Sequence, residues 1–304
     1  MRLKFIFFFL LMAFCSASFA QTYYRSIYSE GIKRSFVIHV PEKTVESGLP
    51  LVIVLHGHGG TGKQIMKSTG FNYISGREKF IVVYPDGIKK NWNDGREKKD
   101  DTKYDDVGFI SALIDTISGE FKIDTARIFV TGMSNGGFMS IYLAFKLNYR
   151  ILGVAPICAN IPERISPFYE FSKPLSVMLI NGTDDPLVRY EGGKVGFGIL
   201  KNRGYALSTD ESVNIFVREN KCSAVPVHAE IQDKNIDDEC FAERYTFTGG
   251  ENNTEVVLIK VVNGGHTIPG GIKNLPKTLV GNTCEDFNAP EMIWSFFKSR
   301  TCRK

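Results

Sequence analysis

The sequence predicts an α/β fold in which a mostly parallel central sheet is covered by helices on both faces. Three observations carry this prediction. Apolar runs of strand length alternate with amphipathic stretches of helical period from Lys33 to Lys304. The runs at 51–55, 127–131, 175–180 and 256–262 each lead into a glycine-bearing loop, at the strand ends where α/β sheets place ligands and chemistry. No repeat, low-complexity tract or Pro/Ser-rich linker divides the chain, so residues 21–304 are expected to form one domain.

In chain order, strands are predicted at residues 35–40, 51–55, 80–84, 127–131, 153–157 and 175–180. Helices are predicted at 106–121 and 135–147, where apolar residues recur at spacings of three and four. Residues 243–262 read as a strand, a Gly249-Gly250-Glu251-Asn252-Asn253 turn and a second strand. The last helix opens with Asn288 as N-cap and Glu291 completing a capping box, with Pro290 tolerated in the first turn. Ile293, Phe296 and Phe297 form its buried stripe.

A composition of 43% hydrophobic and 23% charged residues is that of an ordinary folded protein. Residues 1–20 read as a secretory signal: Arg2 and Lys4, an apolar run at 5–14, then small residues ending at Ala20. The run is shorter than the ~20 residues that span a bilayer, so the mature chain is expected to be secreted, extracellular or periplasmic, and not membrane-bound. Losing Arg2 and Lys4 takes the formal charge from +4 to 4 − 2 = +2. The basic residues are interspersed with acids, which argues against a nucleic-acid partner. A monomer is expected. Of the cysteines left after signal removal, Cys222 with Cys240 and Cys284 with Cys302 are the expected disulfides, each closing a short loop, and Cys158 is left as a buried free thiol. No Cys-x-x-Cys spacing suggests zinc.

The loop His56-Gly57-His58-Gly59-Gly60-Thr61-Gly62-Lys63-Gln64 superficially supports three chemistries. A dinucleotide fingerprint fits Gly57, Gly59 and Gly62, but the acidic partner is poorly placed, Asp86 lying further on and behind a proline. A phosphate loop fails at Gln64, where a Ser or Thr should hold magnesium. The third reading is an oxyanion loop, whose glycines let backbone N–H groups near His58 turn toward a substrate oxygen. A metal pair of His56 and His58 is disfavoured because alternate residues of extended chain point oppositely.

Gly132-Met133-Ser134-Asn135-Gly136-Gly137 follows a predicted strand and opens a predicted helix, the context of a nucleophile elbow. Ser134 would be the nucleophile, and the Asn135 N–H, with that of His58, would complete an oxyanion hole. Such an elbow calls for a later acid and then a histidine, in that order. Asn181-Gly182-Thr183-Asp184-Asp185-Pro186 offers the acid, with Asp185 preferred and Asp184 assigned to the turn; Gly264-Gly265-His266-Thr267 offers His266 as base. His39 and His228 lack such a setting. No cofactor and no metal is required.

These segments, with Asp105-Asp106-Val107-Gly108-Phe109-Ile110 and Gly265-His266-Thr267-Ile268-Pro269-Gly270, resemble the secreted feruloyl esterase, acetylxylan esterase and polyhydroxybutyrate depolymerase-like α/β-hydrolases over nearly all of the mature chain. The resemblance implies a Ser134, Asp185, His266 triad hydrolysing feruloyl or acetyl esters on plant polysaccharides such as xylan, and a structural role for Asp106. Polyhydroxybutyrate oligomers or other short-chain esters are the alternative, and a non-catalytic carbohydrate-binding relative a remote one. Two departures bear on substrate: Ile268 stands where relatives often carry Trp, and Asn181 where they often carry His.

Overall fold

The computed structural model describes residues 20–42, 48–96, 104–196, 203–272 and 275–300. Its elements are β1 (Gln21–Ser29), β2 (Ile32–Val40), β3 (Leu49–Leu55), α1 (Gly62–Thr69), α2 (Phe71–Glu78), β4 (Ile81–Pro85), α3 (Asp106–Glu120), β5 (Ile123–Met133), α4 (Asn135–Lys146), β6 (Gly153–Ile157), β7 (Ser176–Gly182), β8 (Gly193–Lys194), β9 (Tyr205–Ala206), α5 (Thr209–Glu219), β10 (Val227–Ile231), β11 (Phe241–Phe247), β12 (Val256–Val262), α6 (Lys277–Val280) and α7 (Ala289–Lys298). Ten strands form one sheet in the order β1-β2-β4-β3-β5-β6-β7-β12-β11-β10, and β8 pairs with β9 apart from it. The six strands from β4 to β12 run parallel, with antiparallel pairs at each edge. This is the α/β architecture that the alternating pattern predicts.

Strand side chains alternate between faces, and each face buries its own core. Leu51, Ile53 and Leu55 of β3 pack with Phe109, Leu113 and Ile117 of α3 and with Phe138 and Ile141 of α4. Val52 and Val54 point the other way, into a core with Phe71 of α2 and Ile293, Trp294 and Phe297 of α7. The central strands are buried on both sides, so they read in sequence as continuous apolar runs.

The six predicted strands and the 243–262 hairpin all form, with ends shifted by a few residues. The additional strand β1 is mostly exposed and pairs with β2 through a two-residue Glu30-Gly31 turn in which both φ angles are positive. At the start of α7, Asn288 accepts from the Glu291 N–H at 3.0 Å. Only this half of the expected capping box forms. The Glu291 carboxylate binds the Arg77 guanidinium of α2 through both oxygens, at 3.0 and 2.6 Å, a charged partner that outcompetes a backbone amide. The reciprocal box occurs instead between Ser208 and Glu211 at the start of α5.

The expected Cys222–Cys240 disulfide is absent, and both thiols are free. Ser223, next to Cys222, bonds Thr248 just past the end of β11, whereas Cys240 immediately precedes the start of that strand. A strand of this length spans about 20 Å at ~3.4 Å per residue, far beyond the ~7 Å that a disulfide tolerates between Cα atoms. Cys158 is buried and free, as expected. The Cys284–Cys302 pair cannot be placed because Cys302, like residues 1–19 of the expected signal, lies outside the described residues.

A buried ion pair anchors α3 to the sheet. Arg34 of β2 donates to Asp106 at 2.5 Å, both about 3% exposed, and the guanidinium also lies 3.9 Å from the centre of the Phe109 ring. The other Asp106 oxygen accepts the Asn93 N–H at 2.7 Å. Burial raises the Asp106 pKa above its ordinary value, against the opposing pull of the Asn93 N–H and of Arg34. Asp106→Ala should strand the Arg34 charge in the core and cost about 3–5 kcal/mol, read as a lowered urea midpoint; an unchanged midpoint would show that the pair is not structural.

Candidate active site

Ser134 occupies the single residue between β5 and α4, at φ 55° and ψ −121°. This backbone conformation is costly for a residue with a side chain and is imposed by the packing around it. A Cβ on Gly132 would lie 2.5 Å from the Gly136 carbonyl oxygen, and one on Gly136 would collide with the carbonyl oxygens of Leu55 and His56. The turn thus presses main chain to main chain against the end of β3, which only glycine permits. The Ser134 N–H donates to Ile157 O of β6 at 2.9 Å. The serine is thereby held at the C-terminal edge of the parallel sheet, half-buried, at the N-terminus of α4, whose dipole favours negative charge.

The carboxylate and the histidine arrive from neighbouring strands. Asp185 follows β7 and His266 follows β12, and these two strands pair in parallel. His266 Nδ1 lies 2.7 Å from Asp185 Oδ2, with both side chains buried. The other Asp185 oxygen accepts the N–H groups of Leu187 and Val188, each at 2.8 Å. Asp184 is exposed and faces the Thr183 hydroxyl, so the structure brings Asp185, not Asp184, to the histidine. The His266 loop is tied to the segment after α6 by bonds from Gly265 N to Asn282 O at 2.9 Å and from Gly270 N to Cys284 O at 3.0 Å.

Ser134 and His266 line one cleft of about 760 Å³ together with the 56–61 loop. Ile65, Leu187, Ile268 and Ile272 give it an apolar wall, and Gln64, Lys67 and Thr283 a polar margin. In the loop, Gly59 N–H donates to Lys90 O at 2.8 Å and Gly60 N–H to Gly57 O at 3.0 Å. The His58 side chain turns aside to Asn91 and Arg203, each at 2.8 Å. Asn181 is not at the cleft: from β7 it binds Ala159, Asn160 and Thr209 and joins the β6 exit to α5.

Sequence reasoning missed the segment that clamps the elbow to this loop. The Asn135 amide grips the Trp92 backbone at both N–H and C=O and also binds Asp94 at 2.6 Å. Asp94 is paired with Arg96 in a buried ion pair, and the Trp92 indole donates to His56 O at 3.0 Å. The signal was an Asn91-Trp92-Asn93-Asp94 run carrying a Trp and an Asp between strand and helix, residue types seldom spent on a plain connector. His56 is buried, donates from Nδ1 to Gly57 O at 2.7 Å and accepts the Gly87 N–H at Nε2 at 2.9 Å. Both ring nitrogens of His56 are thus engaged with the backbone.

Comparison with known proteins gives a consistent group. The Esterase family model, described as "Putative esterase", matches residues 28–158. The chain is 27% identical over 289 residues to "Putative esterase NocK" of Nocardia uniformis subsp. tsuyamanensis, covering 91% of this chain and 83% of that one. It is 23% identical over 279 residues to feruloyl esterase D of Neurospora crassa, covering 88% and 82%. Among solved structures, acetyl xylan esterase from Aspergillus awamori shares the fold with a TM-score of 0.57 at 13% identity, over 82% of this chain and 95% of that one.

Burial holds the His56 pKa below its ordinary value of 6.5. Below that pH the unfolded chain binds a proton that the folded chain refuses, so His56 favours unfolding progressively as pH falls from 6.5 toward the lowered value. His39 acts in the same direction for the same reason. The melting temperature should therefore fall between pH 7 and pH 5, and less steeply in His56→Gln; equal slopes would mean that His56 takes up its proton in the fold.

Proposed function

We propose that the chain is a secreted carboxylic ester hydrolase of the esterase group it resembles, cleaving acetyl or feruloyl esters on plant cell-wall polysaccharides such as xylan through Ser134, His266 and Asp185. The observation that carries the reading is the 2.7 Å contact of Asp185 with His266 Nδ1 beside a serine held at positive φ in the same cleft. With Nδ1 committed to Asp185, His266 has Nε2 left to take the Ser134 proton as Oγ attacks the ester carbonyl. Asp185 holds that tautomer and offsets the charge of the imidazolium. The oxyanion is received by the Asn135 and His58 N–H groups, each such donor contributing about 3 kcal/mol in comparable sites. Proton return from His266 expels the alcohol, and the same nitrogen then activates water to release the acid.

The substrate class is supported by the relatives that carry feruloyl and acetyl xylan esterase names and by the cleft, whose exposed margin at Ile272 and Leu275 suits a large alcohol portion that stays in solvent. Ile268 presents an aliphatic wall beside His266, which favours a small acyl group over a phenolic ring. The secretory reading rests on residues 1–20. Among the described residues no helix is long and apolar enough to cross a membrane.

Ser134→Ala should lower p-nitrophenyl acetate turnover by about 10⁴-fold or more with an unchanged melting temperature; wild-type turnover would refute the nucleophile. Asp185→Asn should cost about 10⁴-fold, and Asp184→Asn little; the reverse order would move the acid role. Rates on acetylated xylan, methyl ferulate and a hydroxybutyrate oligomer test the substrate, with acetylated xylan expected fastest and the oligomer slowest.

A further inference from the structure

Cys158 lies directly under the acid and the base. It is the first residue past β6, at φ 51°, with its N–H donating to Ile180 O of β7 at 3.0 Å. That backbone turn directs the side chain between the two loops that carry Asp185 and His266. Its Sγ is 3.4 Å from Thr267 O and 3.9 Å from Gly265 O, the carbonyls on either side of His266. The sulfur, an Asp185 carboxylate oxygen and a His266 ring nitrogen all lie within 4.8 Å of one another. The residue is only 2% exposed. Burial, with the Asp185 charge adding to it, pushes the thiol pKa far up, so the group keeps its proton.

A protonated thiol in that place has one hydrogen and three acceptors. The carboxylate is the strongest of them because it carries full charge. Asp185 Oδ1 already receives two backbone N–H groups and Oδ2 receives His266, so the thiol is the donor that remains on the side away from the cleft. We propose that Cys158 is a positioning residue of the acid and base pair, its S–H holding the Asp185 carboxylate in register with His266 Nδ1 while its sulfur spaces the His266 loop from β6. The inference rests on the triad reading above.

Two roles separate by substitution. Valine keeps most of the volume without a donor, serine keeps a donor with less volume, and alanine keeps neither. Without the donor, more negative charge on Asp185 faces His266 and favours the imidazolium, which cannot act as base. Among the described residues, the other titratable or charged side chains that line the cleft with His266 are His56, His58 and Lys67, and these are the same in every variant.

The test is the pH profile of kcat and kcat/KM for p-nitrophenyl acetate in Cys158→Val, Cys158→Ala and Cys158→Ser, each with its melting temperature. Val and Ala should move the acid limb to higher pH by about 0.3–1 unit and lower kcat about two- to tenfold, the worth of one hydrogen bond, with KM unchanged. Ser should restore the acid limb. Equal acid limbs in all variants, or kcat losses that follow melting temperature regardless of donor, would overturn the proposal; if Val does not fold, the Ala and Ser pair makes the same comparison. Ser134→Ala assayed alongside separates the two readings: activity there sinks the triad itself, whereas an inactive Ser134→Ala with unmoved Cys158 profiles sinks only the role of the thiol.

Discussion

The close approach of two main-chain segments is the constraint on which this site depends. The turn after β5 packs onto the carbonyls at the end of β3, and there is no room for a side chain at Gly132 or Gly136. Because the contact is backbone to backbone, it also fixes where the 56–61 loop starts and where α4 starts. The strained conformation of Ser134 and the position of the Asn135 and His58 amides are thus consequences of one packing event. Strain at such a residue persists only where the surroundings over-determine it. Here the Ile157 carbonyl and the first turn of α4 hold it from opposite sides.

Around that contact, buried polar groups are organised as a chain. Arg34 holds Asp106, Asp106 holds the Asn93 amide, and the adjoining Trp92 is held by Asn135 while its indole holds His56. Asp94 and Arg96 close the chain from the side. Buried charges are costly to leave unpaired, so each link makes the next one obligatory. Residues 92–96, which have no regular secondary structure, are thereby tied to β2, α3, α4 and the end of β3. Asp185 and His266 are brought together by another means: both leave from adjacent parallel strands, β7 and β12, at the same edge of the sheet, and Cys158 lies within 4.8 Å of both.

Much of this was legible in the chain. The central strands declare themselves because burial on both faces demands continuous apolar residues, and α3, α4 and α7 because each presents a stripe to the sheet. Ser134, Asp185 and His266 stand out as candidates because each sits in a glycine-bearing loop just past such a strand, so strand prediction and local composition converge on them. Of the two neighbouring aspartates, the structure brings Asp185 to His266. By contrast, β1 carries an exposed tyrosine-rich pattern that resembles a surface loop, and α1 and α2 are short helices broken by Gly70 in the left-handed region. Local signals of that length are weak because so few residues share them.

What the sequence by itself determined are the properties carried by neighbours along the chain: the strand-turn-helix at Ser134, the order of serine, acid and histidine, and the α/β class. Tertiary structure alone decided the properties carried by distant segments. It set Cys222 and Cys240 at opposite ends of β11, where loop length had suggested a bond. It sent the Glu291 carboxylate to Arg77 and away from its own helix cap, moved Asn181 off the cleft, and put Cys158 under Asp185. The physical reason is common to all four. A thiol, carboxylate or amide takes the best partner within about 3 Å, and which groups come that close is settled by the order and direction of the strands, which residue spacing does not encode.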